Sequence, residues 1–252
     1  IPMVLVNGRI STRSLKNWSR FPGTISSLLR GFRLCLAQSH ADMKNLKILG
    51  AANVQMLGNL KYASDPPPAD TRIVNELKAS FANRPTWLAA STHPGEEEFI
   101  INTHKILSAK LPKLLTIIAP RHPIRGELIA ELASNRGLTG QLRSQAKTLR
   151  PNTDVYIADT IGELGVFYRI APVSFIGGSL VPHGGQNILE AAKLGSAVIF
   201  GPFTENFNEI TCEMVRKAAA VRIDKPSALV EAVYSLLTDA STRKSQTDAA
   251  KK

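Results

Sequence analysis

The 252-residue sequence predicts an α/β protein: a parallel sheet with helices on both faces, preceded by the C-terminal remnant of another α/β domain. Three observations carry this. Short, continuous apolar runs alternate with helix-length stretches of 3.6-residue periodicity almost throughout, the pattern of strands buried on both faces and joined by helical crossovers. Three consecutive prolines, Pro66 to Pro68, interrupt the alternation in "NLKYASDPPPADTR", where a helix or a central strand cannot continue. Hydrophobic residues make up 44% and charged residues 20%, enough apolar surface for a real core.

The N-terminal part supplies three candidate strands, "MVLV", "LCLAQ" and "VQML", too few to bury a sheet alone. Between the first two lies "STRSLKNWSRFPGTISSLLRGFR", in which Leu15, Trp18, Phe21, Ile25, Leu28 and Phe32 recur at three- and four-residue steps with Arg and Lys between them. Pro22 and Gly23 break that pattern, which predicts two short helices; for half of the apolar positions the domain's own core and an anionic interface are equally suitable. From Pro85 to Ile223 come six more strands, "TWLAAS", "LLTIIA", "DVYIAD", "VSFIGG", "AVIF" and "AAVRI", with helices expected over Glu96–Ala109, Ile124–Arg136 and Ile188–Leu194. The expected organisation is a remnant domain over residues 1–64, a complete domain over 65–240, and a polar, frayed tail over 241–252.

Charge is uneven. Of the formal +11, residues up to Lys61 contribute nine basic side chains against the single acid Asp42. A field of that sign favours an anionic partner: nucleic acid, an acidic lipid surface or a phosphorylated substrate. No run approaches the roughly 18 apolar residues of a membrane helix, and the first ten residues do not make a signal peptide. With only Cys35 and Cys212, no disulfide framework is expected, and Cys35 in "RLCLAQ" reads as a small buried hydrophobe.

In open parallel sheets ligands sit beyond the carboxyl ends of strands, facing helix N-termini. Four segments of the second domain occupy such points. In "ASTHPGEEE", Ser91 or Thr92 is a candidate helix cap and the acids suit a first turn; His93, Glu96 and Glu97 lack a second ligand cluster, so no metal site is expected. In "IIAPRHP", Arg121 follows a strand directly, and its guanidinium fork matches phosphate oxygens. In "ADTIGELGVFY", Asp159 or Thr160 is the candidate cap, and Gly162 lets backbone approach a flat ring. In "FIGGSLVPHGGQNILEAAKLGSAVIFGP", Gly177, Gly178, Gly184 and Gly185 precede a helix starting near Asn187. There amide groups and Asn187 are expected to meet a phosphate while Glu190, three residues on, accepts from ribose hydroxyls. The dinucleotide fingerprint G-x-G-x-x-G is absent, and the loop comes late in the domain rather than after its first strand. A late phosphate-and-ribose site in the second of two α/β domains is the arrangement of GT-B glycosyltransferases.

"GNLKYA", "ASTHPGEEE", "APRHP", "ADTIGELGVFY", "FIGGSLVPHGGQNILEAA" and "GPFTENFNEI" stand in the order and spacing of the 3-deoxy-D-manno-octulosonic acid (Kdo) transferases. The sequence resembles that family from Ile1 to about Asp239. The resemblance implies a Rossmann-like GT-B fold and inverting, metal-independent transfer of Kdo from CMP-Kdo to a lipid A precursor, lipid IVA, in lipopolysaccharide synthesis. It implies no cofactor, no nucleic-acid partner, and work at the cytoplasmic face of the bacterial inner membrane, where the basic amphipathic segment suits anionic lipid. Pro120 and Arg121 resemble the CMP phosphate contact, and Ile161, Gly162 and Glu163 the segment lining the cytidine. Asn187, Ile188, Leu189 and Glu190 resemble the helix start that grips phosphate and ribose. Lys61 matches a lysine that offsets transition-state charge. The family pattern G-G-H-N-P-L-E-P is altered here at Gln186, Ile188 and Ala191. The family's general base, a glutamate early in its N-terminal domain, and the membrane-anchoring segment before it are not among these residues. Two other readings remain open: another GT-B enzyme of the UDP-sugar transferase or epimerase kind, and a nucleotide-binding module without transfer activity.

Overall fold

The computed structural model describes every residue except Asn59, Lys61, Tyr62, Ala63, Ser64, Ala82, Asn83, Lys147 and Lys252. The expected transition-state lysine, Lys61, therefore lies outside the described residues. The chain forms two compact units that divide between Asp65 and Pro66, and each is described by itself.

The first unit runs β1 (Met3–Gly8), α1 (Thr12–Trp18), α2 (Pro22–Arg30), β2 (Phe32–Ala37), α3 (His40–Ile48) and β3 (Val54–Met56). Its strands form a parallel sheet in the order β1-β2-β3. Ser11 caps α1 by accepting from the Ser14 amide, and Pro22 starts α2 with its fixed φ, so the amphipathic segment is split in two. Ile25 and Leu29 enter the core with Cys35, Ala37 and Leu46, while Trp18, Phe21 and Leu28 stay exposed. Cys35 is fully buried, which raises its thiol pKa, and both cysteines are free. Among the described residues no helix is long and apolar enough to cross a membrane.

The second unit opens with α4 (Thr71–Ser80) and then alternates: β4 (Thr86–Thr92), α5 (Glu96–Ser108), β5 (Leu115–Pro120), α6 (Gly126–Ser134), β6 (Gly140–Leu142), β7 (Val155–Ile157), α7 (Leu164–Ile170), β8 (Val173–Ile176), α8 (Leu189–Lys193), β9 (Ala197–Phe200), α9 (Asn208–Arg216), β10 (Val221–Arg222), α10 (Ala228–Thr238) and α11 (Ala240–Ala249). All seven strands are parallel, in the order β10-β9-β8-β4-β5-β7-β6. Period-two alternation sends successive side chains to opposite faces, and both faces are covered. Leu88, Ala90 and Ile117 pack with α4 and α7 through Val74, Leu77 and Phe167. Trp87, Ala89 and Ile118 pack with α5, α6 and α10 through Ile100, Ile129 and Val233.

Two elements depart from the sequence expectation. The "GQL" strand β6 is a seventh, three-residue edge strand, too short to register as an apolar run. Residues 241–252, expected to be a frayed tail, mostly form α11. Asp239 caps it by accepting from the Ser241 and Thr242 amides, and buried Gln246 donates its Nε2 to the Val198 carbonyl of β9 at 2.9 Å. Arg243 donates to the Leu236 carbonyl of α10 at 2.6 Å, so a buried glutamine and an arginine anchor a helix whose composition is polar.

The functional consequence lies in the strand order. From β4 the chain moves outward through β5, then returns to build β8 on the other flank of β4. The loops leaving these strands diverge at their carboxyl ends and open a crevice there, as at the switch point of other doubly wound sheets.

Candidate functional site

A cleft of about 400 Å³ lies over the carboxyl ends of β4, β5 and β7. Ser91 comes from β4, Pro120, Arg121 and His122 from the end of β5, and Thr160, Ile161 and Gly162 from the turn after β7. The Arg121 amide donates to the Thr92 carbonyl at 3.0 Å, which extends the β4–β5 pairing one residue past the strand. Pro123 then starts a 3-10 turn, so the chain reverses at once and Arg121 is left on the rim. The Arg121 side chain is exposed and has no hydrogen bond or ion pair among the described residues. A guanidinium held at a strand end without an internal partner is available to an anion.

Across the cleft, Gly162 adopts φ +84° and Ile161 is 89% exposed, an apolar side chain standing at the mouth. Glu163 belongs to the same turn, but its carboxylate is committed. Arg143 donates to it through Nε at 3.2 Å and through its terminal nitrogen at 2.9 Å, and the Thr160 hydroxyl donates as well. The Arg143 pair holds the Glu163 carboxyl below the usual glutamate range. The expected capping role of Asp159 or Thr160 is not what the structure contains. Asp159 accepts from the Ser144 amide at 2.9 Å, and Glu163 is the N-cap position of α7.

The turn after β4 also differs from its sequence reading. Neither Ser91 nor Thr92 caps α5. Gly95, at φ +94°, is the N-cap, and the Thr92 hydroxyl donates to Glu97 at 3.1 Å. Glu97 is buried and pairs with Arg125 at 3.1 Å. Glu96 is fully buried, and its two carboxylate oxygens accept four backbone amides: His93 at 2.9 Å, Gly178 at 2.7 Å, Ser179 at 3.1 Å and Leu180 at 2.9 Å. Burial raises the Glu96 pKa, while the four amides pull against that rise.

The expectation that the glycine-rich loop turns its amides to a phosphate is therefore corrected for Gly178, Ser179 and Leu180. The anion they hold is Glu96, a side chain of the protein. The loop's second half rests on His93. The Gln186 side chain lies 3.1 Å from the His93 Nε2, and the His183 ring stacks on His93 with centroids 4.1 Å apart. Since an amide nitrogen donates, the His93 Nε2 is the acceptor and its proton sits on Nδ1. Burial, then His183, His122, Arg121 and Arg125, lower the His93 pKa to about 4. The imidazole stays neutral at pH 7 among cations. Among the described residues no cluster of three or more metal-ligating side chains occurs.

The helix-start residues sit beyond this loop. Asn187 donates to Glu190 at 3.0 Å and accepts from the Leu189 amide at 3.2 Å. The Ile188 and Leu189 side chains are buried in the core, so only their backbone faces outward chemistry. The structure thus gathers Pro120, Arg121, Ile161 and Gly162 around one cleft, places Glu163 behind it in an ion pair, and leaves Asn187, Ile188, Leu189 and Glu190 outside its lining. Sequence reasoning missed Ser91 as a cleft residue and Glu96 as a loop anchor. The one available signal was the burial-prone run "ASTHPGEEE", in which three acids exceed the needs of a helix first turn.

A family model described as 3-deoxy-D-manno-octulosonic-acid transferase (kdotransferase) matches residues 1–64. The 3-deoxy-D-manno-octulosonic acid transferase of Haemophilus influenzae is 34% identical over 96% of this chain and 58% of its own length. A probable mitochondrial one from Arabidopsis thaliana is 35% identical over 95% of this chain and 56% of its own. The crystal structure of the C-terminal CMP-Kdo binding domain of WaaA from Acinetobacter baumannii superposes with a TM-score of 0.68 at 29% identity, covering 72% of this chain and 97% of that domain. Staphylococcus aureus MnaA, solved with UDP, shares the fold at TM-score 0.58 and 15% identity. The chain spans little more than half the length of the curated relatives it matches.

Proposed function

We propose that the chain is a member of the Kdo transferase family whose second unit binds the nucleotide of CMP-Kdo and serves glycosyl transfer to a lipid A precursor. The observation that carries this is the uncommitted Arg121 guanidinium at the end of β5, facing the same cleft as Ile161 and Gly162. Arg121 and the Pro120 turn would hold the phosphate, and the exposed Ile161 and the open Gly162 backbone would receive the flat cytosine ring. Asn187 and Glu190, already paired with each other, would turn their remaining acceptors to the ribose, with the Ile188 and Leu189 amides beside them. Glu163 would act from behind, keeping the turn in shape through Arg143.

In the proposed reaction an acceptor hydroxyl oxygen bonds to the anomeric carbon of Kdo with inversion, and the bond to the phosphate oxygen breaks. CMP leaves with the electron pair, the hydroxyl proton passes to a base, and Lys61 offsets the charge gathering on the leaving group. The proposal includes no metal and no cofactor, with CMP-Kdo as a substrate. It places the protein at the cytoplasmic face of the inner membrane. The exposed Trp18, Phe21 and Leu28, interspersed with exposed Arg13, Lys16, Arg20 and Arg30, are suited to an anionic lipid surface.

Calorimetric titration tests the nucleotide assignment. CMP should bind more tightly than UMP, and Arg121→Lys should weaken CMP by about 1–3 kcal/mol, because a point charge cannot reproduce two charge-assisted hydrogen bonds. Unchanged CMP affinity in a folded Arg121→Lys variant removes Arg121 from the site.

A further inference from the structure

Strand β4 does not keep its alternation to the end. Its register against β5 steps from Ala90–Ala119 to Thr92–Pro120, so Ser91 is the extra residue of a β-bulge. Ser91 takes φ +54°, the left-handed region that disfavours a residue with a Cβ. The bulge is braced from β8. The Gly177 amide donates to the Ala90 carbonyl at 2.8 Å, and a Cβ at position 177 would lie 2.5 Å from the Ser91 carbonyl oxygen. Bulges re-aim side chains, and this one brings Ser91 into the lining of the cleft instead of one of the two packed faces of the sheet.

The neighbouring polar groups are spoken for: Thr92 donates to Glu97, and Thr160 donates to Glu163. The Ser91 hydroxyl has no hydrogen-bond partner among the described residues, and neither has the Arg121 guanidinium on the adjacent strand end. Glycine would take this backbone conformation more readily than serine. The side chain therefore earns its place through the hydroxyl.

We propose that Ser91 contacts the ligand: its hydroxyl donates to an oxygen of the phosphate that Arg121 pairs with. The inference rests on the reading of the cleft as a CMP site. The placement favours phosphate over base, because Ser91 and Arg121 share the β4–β5 side of the cleft while Ile161 and Gly162 stand across it after β7.

The test uses the full 252-residue chain with CMP and cytidine as probes, and the variants Ser91→Ala and Ser91→Gly. Both variants should bind CMP about tenfold more weakly, as expected for a lost hydrogen bond to a charged group, while cytidine affinity changes less than twofold. Ser91→Gly should also melt at a higher temperature, since glycine relieves the left-handed conformation. A purely structural serine gives a different pattern, in which Ser91→Gly keeps full CMP affinity, and that result overturns the inference. Equal losses for CMP and cytidine overturn it too, by placing the hydroxyl away from the phosphate. If the unsubstituted chain fails to bind CMP, the nucleotide reading itself falls and takes this inference with it.

Discussion

β1 opens the first unit and β4 opens the sheet of the second, and both carry an extra residue near their carboxyl ends. In β1 the register against β2 shifts between Leu5–Cys35 and Gly8–Ala37, and Asn7 sits there at φ +58°. In β4 the corresponding residue is Ser91 at φ +54°. The two bulges differ in what meets the side chain. The Asn7 Oδ1 accepts the Leu60 amide at 3.3 Å, and its carbonyl accepts the Gln38 side chain at 3.1 Å, so the chain closes its own bulge. Ser91 faces a cleft that Arg121 also lines, and its hydroxyl has no hydrogen-bond partner among the described residues. The same backbone device serves internal connection where the chain supplies the donor, and recognition where it leaves the side chain open. Residue type follows: asparagine tolerates the left-handed region and fills local hydrogen bonds, whereas a short hydroxyl suits a ligand oxygen.

The largest expected effect that sharpens this contrast is at the brace. Gly177→Ala puts a Cβ 2.5 Å from the Ser91 carbonyl oxygen, and backbone must move; we expect a loss of about 3 kcal/mol in urea unfolding. Gly8→Ala, beside the other bulge, meets Leu46 at 3.2 Å, the far end of a flexible side chain, and should cost about 1 kcal/mol or less. Equal losses at the two positions would mean that the β4 bulge is not held by close approach.

A second effect separates the bulges by pH. Asn7 does not titrate, but β4 leads into His93, whose pKa is lowered to about 4. Between about pH 6.5 and 4 the unfolded chain takes up a proton that folded His93 refuses, so stability should fall as pH falls through that window. His93→Gln should reduce the slope there in thermal unfolding, and what remains belongs to His104, whose pKa burial also lowers. Below the ordinary glutamate range the remaining slope belongs to carboxylates with lowered pKa, Glu163 through Arg143 and Asp239 through Thr242, whose contributions disappear as pH drops further. A slope unchanged in His93→Gln places the proton uptake elsewhere. The smallest effect is Asn7→Gly, which removes one exposed hydrogen bond at a φ that glycine accepts and should cost under about 1 kcal/mol without altering CMP binding. A change in nucleotide affinity there would break the division of roles.

Much of the fold was legible because buried parallel strands are written as unbroken apolar runs: "TWLAAS" and "LLTIIA" could hardly be anything else. β6 was not, since three edge residues carry no period, and α11 was not, since its anchoring contacts are made by a glutamine and an arginine. At the site, Arg121 could be read from its place directly after an apolar strand. The bulge at Ser91 could not, because register is a relation between two strands and leaves no mark in one. Glu96 was read as a helix-turn acid. Three of the four amides that donate to it lie more than eighty residues downstream, a distance that local pattern cannot bridge.

That last contact bears on how the glycine-rich loop could be transplanted. A segment cut from 177 to 188 and grafted onto another parallel-sheet scaffold would arrive with the amides of Gly178, Ser179 and Leu180 pointed at an anion the new host does not possess. The portable unit is discontinuous: the loop together with the turn that carries Glu96 from the neighbouring strand. A chimera that moves both pieces should inherit the loop's shape, and one that moves the glycines alone should not.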